Sequence, residues 1–345
     1  MNGESDPQMD ADGRRLDEIP ATAEEIIQKA PNGGFDHVLV SMSGGKDSVA
    51  TWLYLERDLG LDVTCVFADT GWESVQLEPY LKYLEKAGCR LVRLPQRKVR
   101  DLWVNDPTPE RVEVLRAAGI SIDDPLTMET LSAAKGRFPS TQARFCTTEL
   151  KLVPLKKYKA TLPGNVLMVS GVRADESPKR AKMAPYCWDD FMGCQRWLPL
   201  LSWTARDVFT LHSKHNIQPN PLYLQGQIRV GCWPCIHSRK ETIRNMLVFD
   251  PEREEEILKS EKLVASCSKR GSAAFFAPDK AAMSYRSKDH KGDRYALFPQ
   301  IAKWAKGEPS PWGENELPWA EELEQLDAGE DLTAPACTSP YGLCE

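Results

Sequence analysis

No long apolar run occurs in these 345 residues, and no stretch approaches the length needed to cross a bilayer. Met1 to Arg15 is polar and acidic where a secretory signal is apolar. A cytoplasmic protein without a membrane partner is the expectation. Positive charge is not in excess either. The net charge of −6 argues against a globally basic nucleic-acid binder. Local basic patches around Arg93 to Arg100 and Arg173 to Lys182 leave a nucleic-acid acceptor neither excluded nor supported. No repeat of fixed period is present, which sets repeat architectures aside. Two common nucleotide motifs are missing as well. There is no G-x-G-x-x-G, and the P-loop pattern fails because Val40 and Asp47 stand where it needs a glycine and a hydroxyl.

What is there begins at Val38, an apolar run that breaks into Ser43-Gly44-Gly45-Lys46-Asp47-Ser48 and then turns helical. This reads as a buried strand, a tight loop and a helix N-terminus, which together make an anion site. The adjacent glycines let backbone N–H groups face a phosphate, Ser43 and Ser48 add hydroxyl donors, and Lys46 adds charge. A side chain at either glycine is expected to invade the phosphate space and leave the fold intact.

Strands and helices alternate from 37 to 172, with strands expected at 61–68, 90–94 and 165–172, so a doubly wound parallel α/β sheet is the economical architecture. The strand ending at Ala68 delivers Asp69 to the sheet edge where ligands bind, although a helix N-cap would explain Asp69 nearly as well. Residues 97–136 read as an irregular or helical excursion, and 147–158 as a helix broken at Pro154. Arg173, Lys179 and Arg180 follow the last strand and can hold anionic oxygens or serve as solvated charge. Thr204 caps a helix reaching Asn216, and 240–306 is mostly helical and charged. The expected division is a disordered tail at 1–18, a nucleotide domain at 19–200, a mostly helical part bearing C-x-x-C at 201–306, and a flexible tail at 307–345.

Ten cysteines without a secretory signal do not suggest a disulfide framework, so metal, redox chemistry or burial must account for them. Cys65 in a buried strand and Cys89 after a helix are expected to be structural. The pair Cys232 and Cys235 can meet one metal centre from a tight turn, a spacing shared by zinc and iron-sulfur sites.

Ser43 to Ser48 resembles the signature of the N-type ATP pyrophosphatases. The chain is similar, over about residues 36 to 240, to the phosphoadenosine phosphosulfate reductase superfamily, in particular the branch that keeps this loop and includes DNA phosphorothioation sulfurtransferases and phage relatives. Besides the loop, the resemblance rests on Phe67 to Glu73, on Cys146 with Lys151, Pro154 and Leu155, on Gly171 to Ser177 with Arg180, and on Pro219 to Cys235. It implies an adenine nucleotide alpha hydrolase-like fold that binds ATP and Mg²⁺ at the carboxyl edge of the sheet. Ser43, Gly44, Gly45, Lys46, Asp47, Ser48, Asp69, Gly171 and Arg180 would surround the nucleotide, with Lys46, Asp47 and Arg173 in the chemistry. In the iron-sulfur members a Cys-Cys pair ahead of a Lys and a Pro-Leu is followed by C-x-x-C. Here Cys146 precedes Cys232 by 86 positions, while Thr147 replaces the second cysteine of the pair. The resemblance therefore implies a cluster, [4Fe-4S] in type, on Cys146, Cys232 and Cys235, with Cys194 or Cys267 completing the set or one iron left open; zinc is the rival.

The implied reaction is ATP-dependent activation, forming AMP and pyrophosphate, for sulfur transfer from a donor protein or with a reductant. Two departures bear on this. True sulfonucleotide reductases carry a degenerate loop, and their catalytic cysteine sits in a Glu-Cys-Gly-Leu-His tail where this chain ends Tyr341-Gly342-Leu343-Cys344-Glu345. A reductase using Cys344 is the runner-up, and a module that binds ATP without turnover is the third reading.

Overall fold

The computed structural model describes residues 34–105, 107–276, 287–288 and 294–307. The expected tails beyond Gly307 and before residue 19, with Cys337 and Cys344, lie outside the described residues, as does 21–30, where Thr22 as a cap and the Pro31 to Gly34 break predict a short helix. Side-chain alternation sets the sheet. In β1 (His37–Met42) Val38, Val40 and Met42 enter one core while Leu39 enters another, and in β2 (Val63–Ala68) Cys65 and Phe67 part from Val66 and Ala68 in the same way. Both faces are therefore apolar, as a sheet covered by helices on each side requires. Each fully buried side chain of this kind contributes roughly 1.5–3 kcal/mol.

The six strands run in the order β3-β2-β1-β4-β6-β5, with β3 at Leu91–Leu94, β4 at Val166–Val169, β5 at Tyr186–Asp189 and β6 at Cys194–Trp197. All neighbours are parallel except β5, which pairs antiparallel with β6. The order reverses direction at β1, which pairs Val40 with Cys65 on one side and with Val169 on the other. Such a reversal opens a crevice at the carboxyl ends of the strands, and the glycine loop leaves β1 there.

Helix α1 (Lys46–Leu53), prolonged by a wide turn at Tyr54–Asp58, buries Val49, Trp52 and Leu53 against one face, where α2 (Leu77–Lys86) adds Leu77 and Leu81. The excursion holds α3 (Pro109–Ala117) and α4 (Met128–Lys135). On the other face α5 (Val153–Lys159) packs Leu155, after Leu152 of the turn before it. The helical stretch does not break at Pro154. A π turn at Thr148–Leu152 widens the backbone just ahead of Pro154, within a helical run that continues through Leu152 and Val153, and so accommodates a ring that has no N–H to give. Beyond the sheet come α6 (Ala205–Lys214), α7 (Lys240–Phe249), α8 (Arg253–Ser266) and α9 (Phe298–Lys306), which join the first core. Thr204 caps α6 by accepting the Asp207 N–H. Glu261 of α8 is buried and accepts the N–H groups of Phe275 and Phe298, both at 2.8 Å, tying the start of α9 to α8. No helix among the described residues is long and apolar enough to cross a membrane.

Candidate active site

The loop between β1 and α1 closes its own hydrogen bonds. Ser48 Oγ donates to the Gly45 carbonyl at 2.9 Å, so the 3.1 Å contact between the two serine hydroxyls uses the proton of Ser43. Ser43 Oγ in turn accepts the Gly45 N–H at 3.2 Å. Gly44 has φ +77°, the left-handed region that glycine tolerates. A Cβ at Gly44 would strike the Leu77 side chain of the core, so a valine there disturbs packing as well as the phosphate space, contrary to the expectation of an intact fold. Gly45 is extended, at φ −82° and ψ 163°, and serves as the N-cap of α1.

Three residues far along the chain hold the loop from outside. Tyr223 Oη accepts the Lys46 N–H at 2.8 Å, His212 Nε2 donates to the Lys46 carbonyl at 2.8 Å, and Asn220 Nδ2 donates to the Gly44 carbonyl at 3.3 Å. Burial lowers the pKa of His212, so its ring is neutral and must carry its proton on Nε2.

Asp47 is fully buried between two cations. Lys46 Nζ donates to its Oδ2 at 2.7 Å, and Arg173 Nε stands 2.6 Å from its Oδ1. The second contact lacks an aligned N–H, so charge carries it. Arg173 also pairs with Asp175 at 2.7 Å. Gly171 lets the end of β4 approach α1, because a Cβ there would lie 2.5 Å from the Asp47 carbonyl. Arg173 follows two residues later and reaches Asp47. Arg180 is buried and pairs with Glu176. Asp69 is exposed and accepts the Gly71 N–H at 2.8 Å, closing its own turn.

The residue of that turn that faces inward is Glu73. It accepts the Thr70 hydroxyl at 2.6 Å and the Trp72 N–H at 3.0 Å, and burial raises its carboxyl pKa against those bonds. Glu73 also bridges to Cys232 through the backbone, and Trp233 N–H donates to the Trp72 carbonyl at 2.7 Å. The Trp72 indole N–H returns to the Pro234 carbonyl at 3.1 Å. Phe67 to Glu73, legible as a motif, is therefore the clamp on the C-x-x-C turn.

Cys146, Cys232 and Cys235 line one small cavity with Lys151 and His237. Burial pushes the Cys146 thiol up to about 11 and Cys232 up to about 12, so both are protonated at neutral pH until a cation compensates them. Burial pulls Lys151 down, but Cys232, Glu73, Cys235 and Cys146 outweigh it and raise its pKa. Both ring nitrogens of His237 are out of solvent and lack a hydrogen-bond partner, and burial lowers its pKa to about 4. Three thiols with an orphaned imidazole are the right kind of donors for a soft metal or an iron-sulfur group. Among the described residues no group of three or more His, Cys, Asp or Glu side chains is arranged to hold a metal ion as it stands. Cys194 lies on β6 in the opposite core and Cys267 ends α8, and neither lines this cavity. Cys65 and Cys89 are buried in the main core.

A larger cavity of about 320 Å³ joins the two regions: Lys46 and Arg173 belong to its wall together with Cys232, Cys235 and His237. The phosphoadenosine phosphosulfate reductase domain matches residues 110–238, which contain Arg173 and all three thiols. Adenosine 5'-phosphosulfate reductase of Streptomyces coelicolor is 30% identical over 225 residues, covering 65% of this chain and 80% of that protein. The chain belongs to the phosphoadenosine phosphosulfate reductase family. A relative from Escherichia phage 186, described as an uncharacterized 37.8 kDa protein, is 39% identical over 272 residues, covering 69% of this chain and 78% of its own length. Among solved structures, phosphoadenylyl-sulfate reductase from Candida auris in a phosphate complex aligns at 15% identity and TM-score 0.37, covering 58% of this chain and 82% of that one. The matched domain of this family member begins after the glycine loop, so the ATP reading depends on Ser43 to Ser48 and their surroundings.

Proposed function

We propose that this protein uses ATP to activate a substrate for sulfur transfer, releasing AMP and pyrophosphate, with an iron-sulfur cluster on Cys146, Cys232 and Cys235. The observation that carries the reading is the single cavity onto which both Lys46 of the complete Ser-Gly-Gly-Lys-Asp-Ser loop and the thiol pair open. In the first step a substrate oxygen attacks the α-phosphorus, a new P–O bond forms, and the bond to the β-phosphate breaks. Pyrophosphate departs, and Mg²⁺, when bound with the nucleotide, would offset its charge. A sulfur nucleophile then attacks the activated centre, and AMP leaves with the original substrate oxygen.

Lys46 and Arg173 have the charge to stabilise the departing pyrophosphate, and Asp47 holds both in place before the nucleotide arrives. The loop hydroxyls, which satisfy one another without ligand, would exchange those bonds for phosphate oxygens. Lys151 and Glu73 would set the charge around the thiols. The cluster, when bound, supplies a soft site for sulfide or a sulfur-bearing group.

The second reading, reduction of a sulfonucleotide with release of sulfite, is favoured by the similarity to relatives such as the adenosine 5'-phosphosulfate reductase of Streptomyces coelicolor. Incubating the anaerobically purified protein with α-labelled ATP and, separately, with a labelled sulfonucleotide separates them. AMP with pyrophosphate is expected. Sulfite release without ATP consumption favours the reductase, and nucleotide binding with neither product favours a module that does not turn over.

A further inference from the structure

We propose that Arg229, with His237 and the first turn of α7, forms an oxyanion subsite in the large cavity, separate from the phosphate loop and suited to a phosphate or sulfate ester. The cations of the cavity are not equivalent. Lys46 is neutralised by Asp47, and Arg173 by Asp47 and Asp175. Glu176, the other acid of the wall, is taken by Arg180. Arg229 pairs with no acid among the described residues, and its Nη2 is out of solvent without a hydrogen-bond partner.

A buried guanidinium nitrogen without an acceptor is unfavourable unless a ligand completes it. Two neighbours point to the same ligand. His237, on the same wall, has both ring nitrogens out of solvent and unpartnered, so one N–H is available to an anion. Arg239 and Thr242, the N-cap and first turn of α7, also line the cavity, and the N-cap side chain itself makes no capping hydrogen bond. Backbone N–H groups at a helix start favour negative charge, which adds to Arg229 without being needed for the assignment. Arginine's planar fork matches the edge of a tetrahedral oxyanion better than a lysine would. This subsite does not require ATP turnover, so it stands or falls apart from the proposed reaction.

The test uses the full-length protein and sodium sulfate, with sodium chloride at equal ionic strength as control. Saturable sulfate binding is followed by thermal shift and by intrinsic tryptophan fluorescence in the wild type, Arg229→Met, Arg229→Lys and Lys46→Ala. Loss of one charge-assisted contact should weaken binding about tenfold or more in Arg229→Met, with partial recovery in Arg229→Lys and retention in Lys46→Ala. Without sulfate, Arg229→Met should melt at or above the wild-type temperature, because it removes an uncompensated cation. Titration with AMP then assigns the source of the oxyanion: weakened AMP binding in Arg229→Met makes it the nucleotide's own phosphate, and unchanged AMP binding assigns it to the second substrate. The proposal is overturned if the wild type shows no saturable response, if Arg229→Met binds sulfate as the wild type does, or if that variant melts several degrees lower without sulfate.

Discussion

Ser43 to Ser48 pairs its two serine hydroxyls, and Lys46 with Asp47, inside the hexapeptide while Tyr223, His212 and Asn220 hold its backbone from outside, whereas Cys232 to His237 is held by Trp72 and leaves the His237 nitrogens unpartnered. The two regions share one cavity. A phosphate site can be local because a strand end, a glycine and a helix start already supply its shape, while a thiol site must collect Cys146 and the C-x-x-C turn from separate segments. The first region is thus poised to exchange internal bonds for ligand bonds, and the second is poised to gain partners it lacks.

The sharpest way to break this contrast is to remove the charge that keeps the loop side balanced. Asp47→Asn leaves Lys46 and Arg173 buried without their shared acid and should cost about 3–5 kcal/mol of stability, read from urea unfolding. The turnover defect expected of this position therefore comes with a folding defect. A midpoint near the wild type would mean that other groups already balance the two cations. Next in size is Gly171→Ala, whose Cβ meets the Asp47 carbonyl and should cost about 1–3 kcal/mol through displacement of β4 from α1. Unchanged stability together with unchanged nucleotide affinity would show that this approach is not needed to seat Arg173.

A comparable loss, about 1–3 kcal/mol, is expected for Glu261→Gln, which trades one of two acceptors for an amide facing a buried backbone N–H. This change also carries a pH signature. Burial raises the folded carboxyl from 4.5 to about 7, so the folded state holds the proton more tightly than the unfolded chain. That contribution is complete below about pH 4.5 and declines as the pH rises to about 7. Glu261→Gln should flatten the decline, and an identical pH profile for the two proteins would remove Glu261 as its cause. The smallest effect is expected at the thiol clamp. Trp72→Phe keeps the ring packed on Phe275 but loses the bond to the Pro234 carbonyl, at about 0.5–1.5 kcal/mol. Alkylation of Cys235 should become faster while nucleotide affinity holds; the reverse pattern would place the clamp's action on the loop.

How much of this was legible follows from whether neighbours in space are neighbours in the chain. The phosphate loop, β1 to β4 and the capped helix α6 were readable because their signals are contiguous. The β5–β6 hairpin was not read: Cys194-Gln195-Arg196-Trp197 and its partner are short and polar, and Asp189 closes their turn by accepting the Met192 N–H. At the site, the loop and the C-x-x-C pair are legible in contiguous residues and Cys146 joins them only through the family resemblance, but Tyr223, Asn220 and His212 carry no motif that reports contact with a loop so far back in the chain. Asp69 drew attention in a turn whose inward acid is Glu73, since sequence does not tell which carboxylate the turn buries. Arg229 had one usable signal, a lone basic residue just ahead of Gly231-Cys232. Its lack of a partner is a fact of packing.

The claim that the loop and the thiols work on one cavity is tested most directly by nucleotide protection. Protein freed of metal with a chelator under reductant is treated with iodoacetamide, with and without saturating Mg²⁺ and ATP, and modification of each cysteine is followed by mass spectrometry. Modification of Cys232 and Cys235, which line the shared cavity, should slow several-fold with ATP, and Lys46→Ala should abolish the protection. Equal rates at saturating nucleotide would contradict the account.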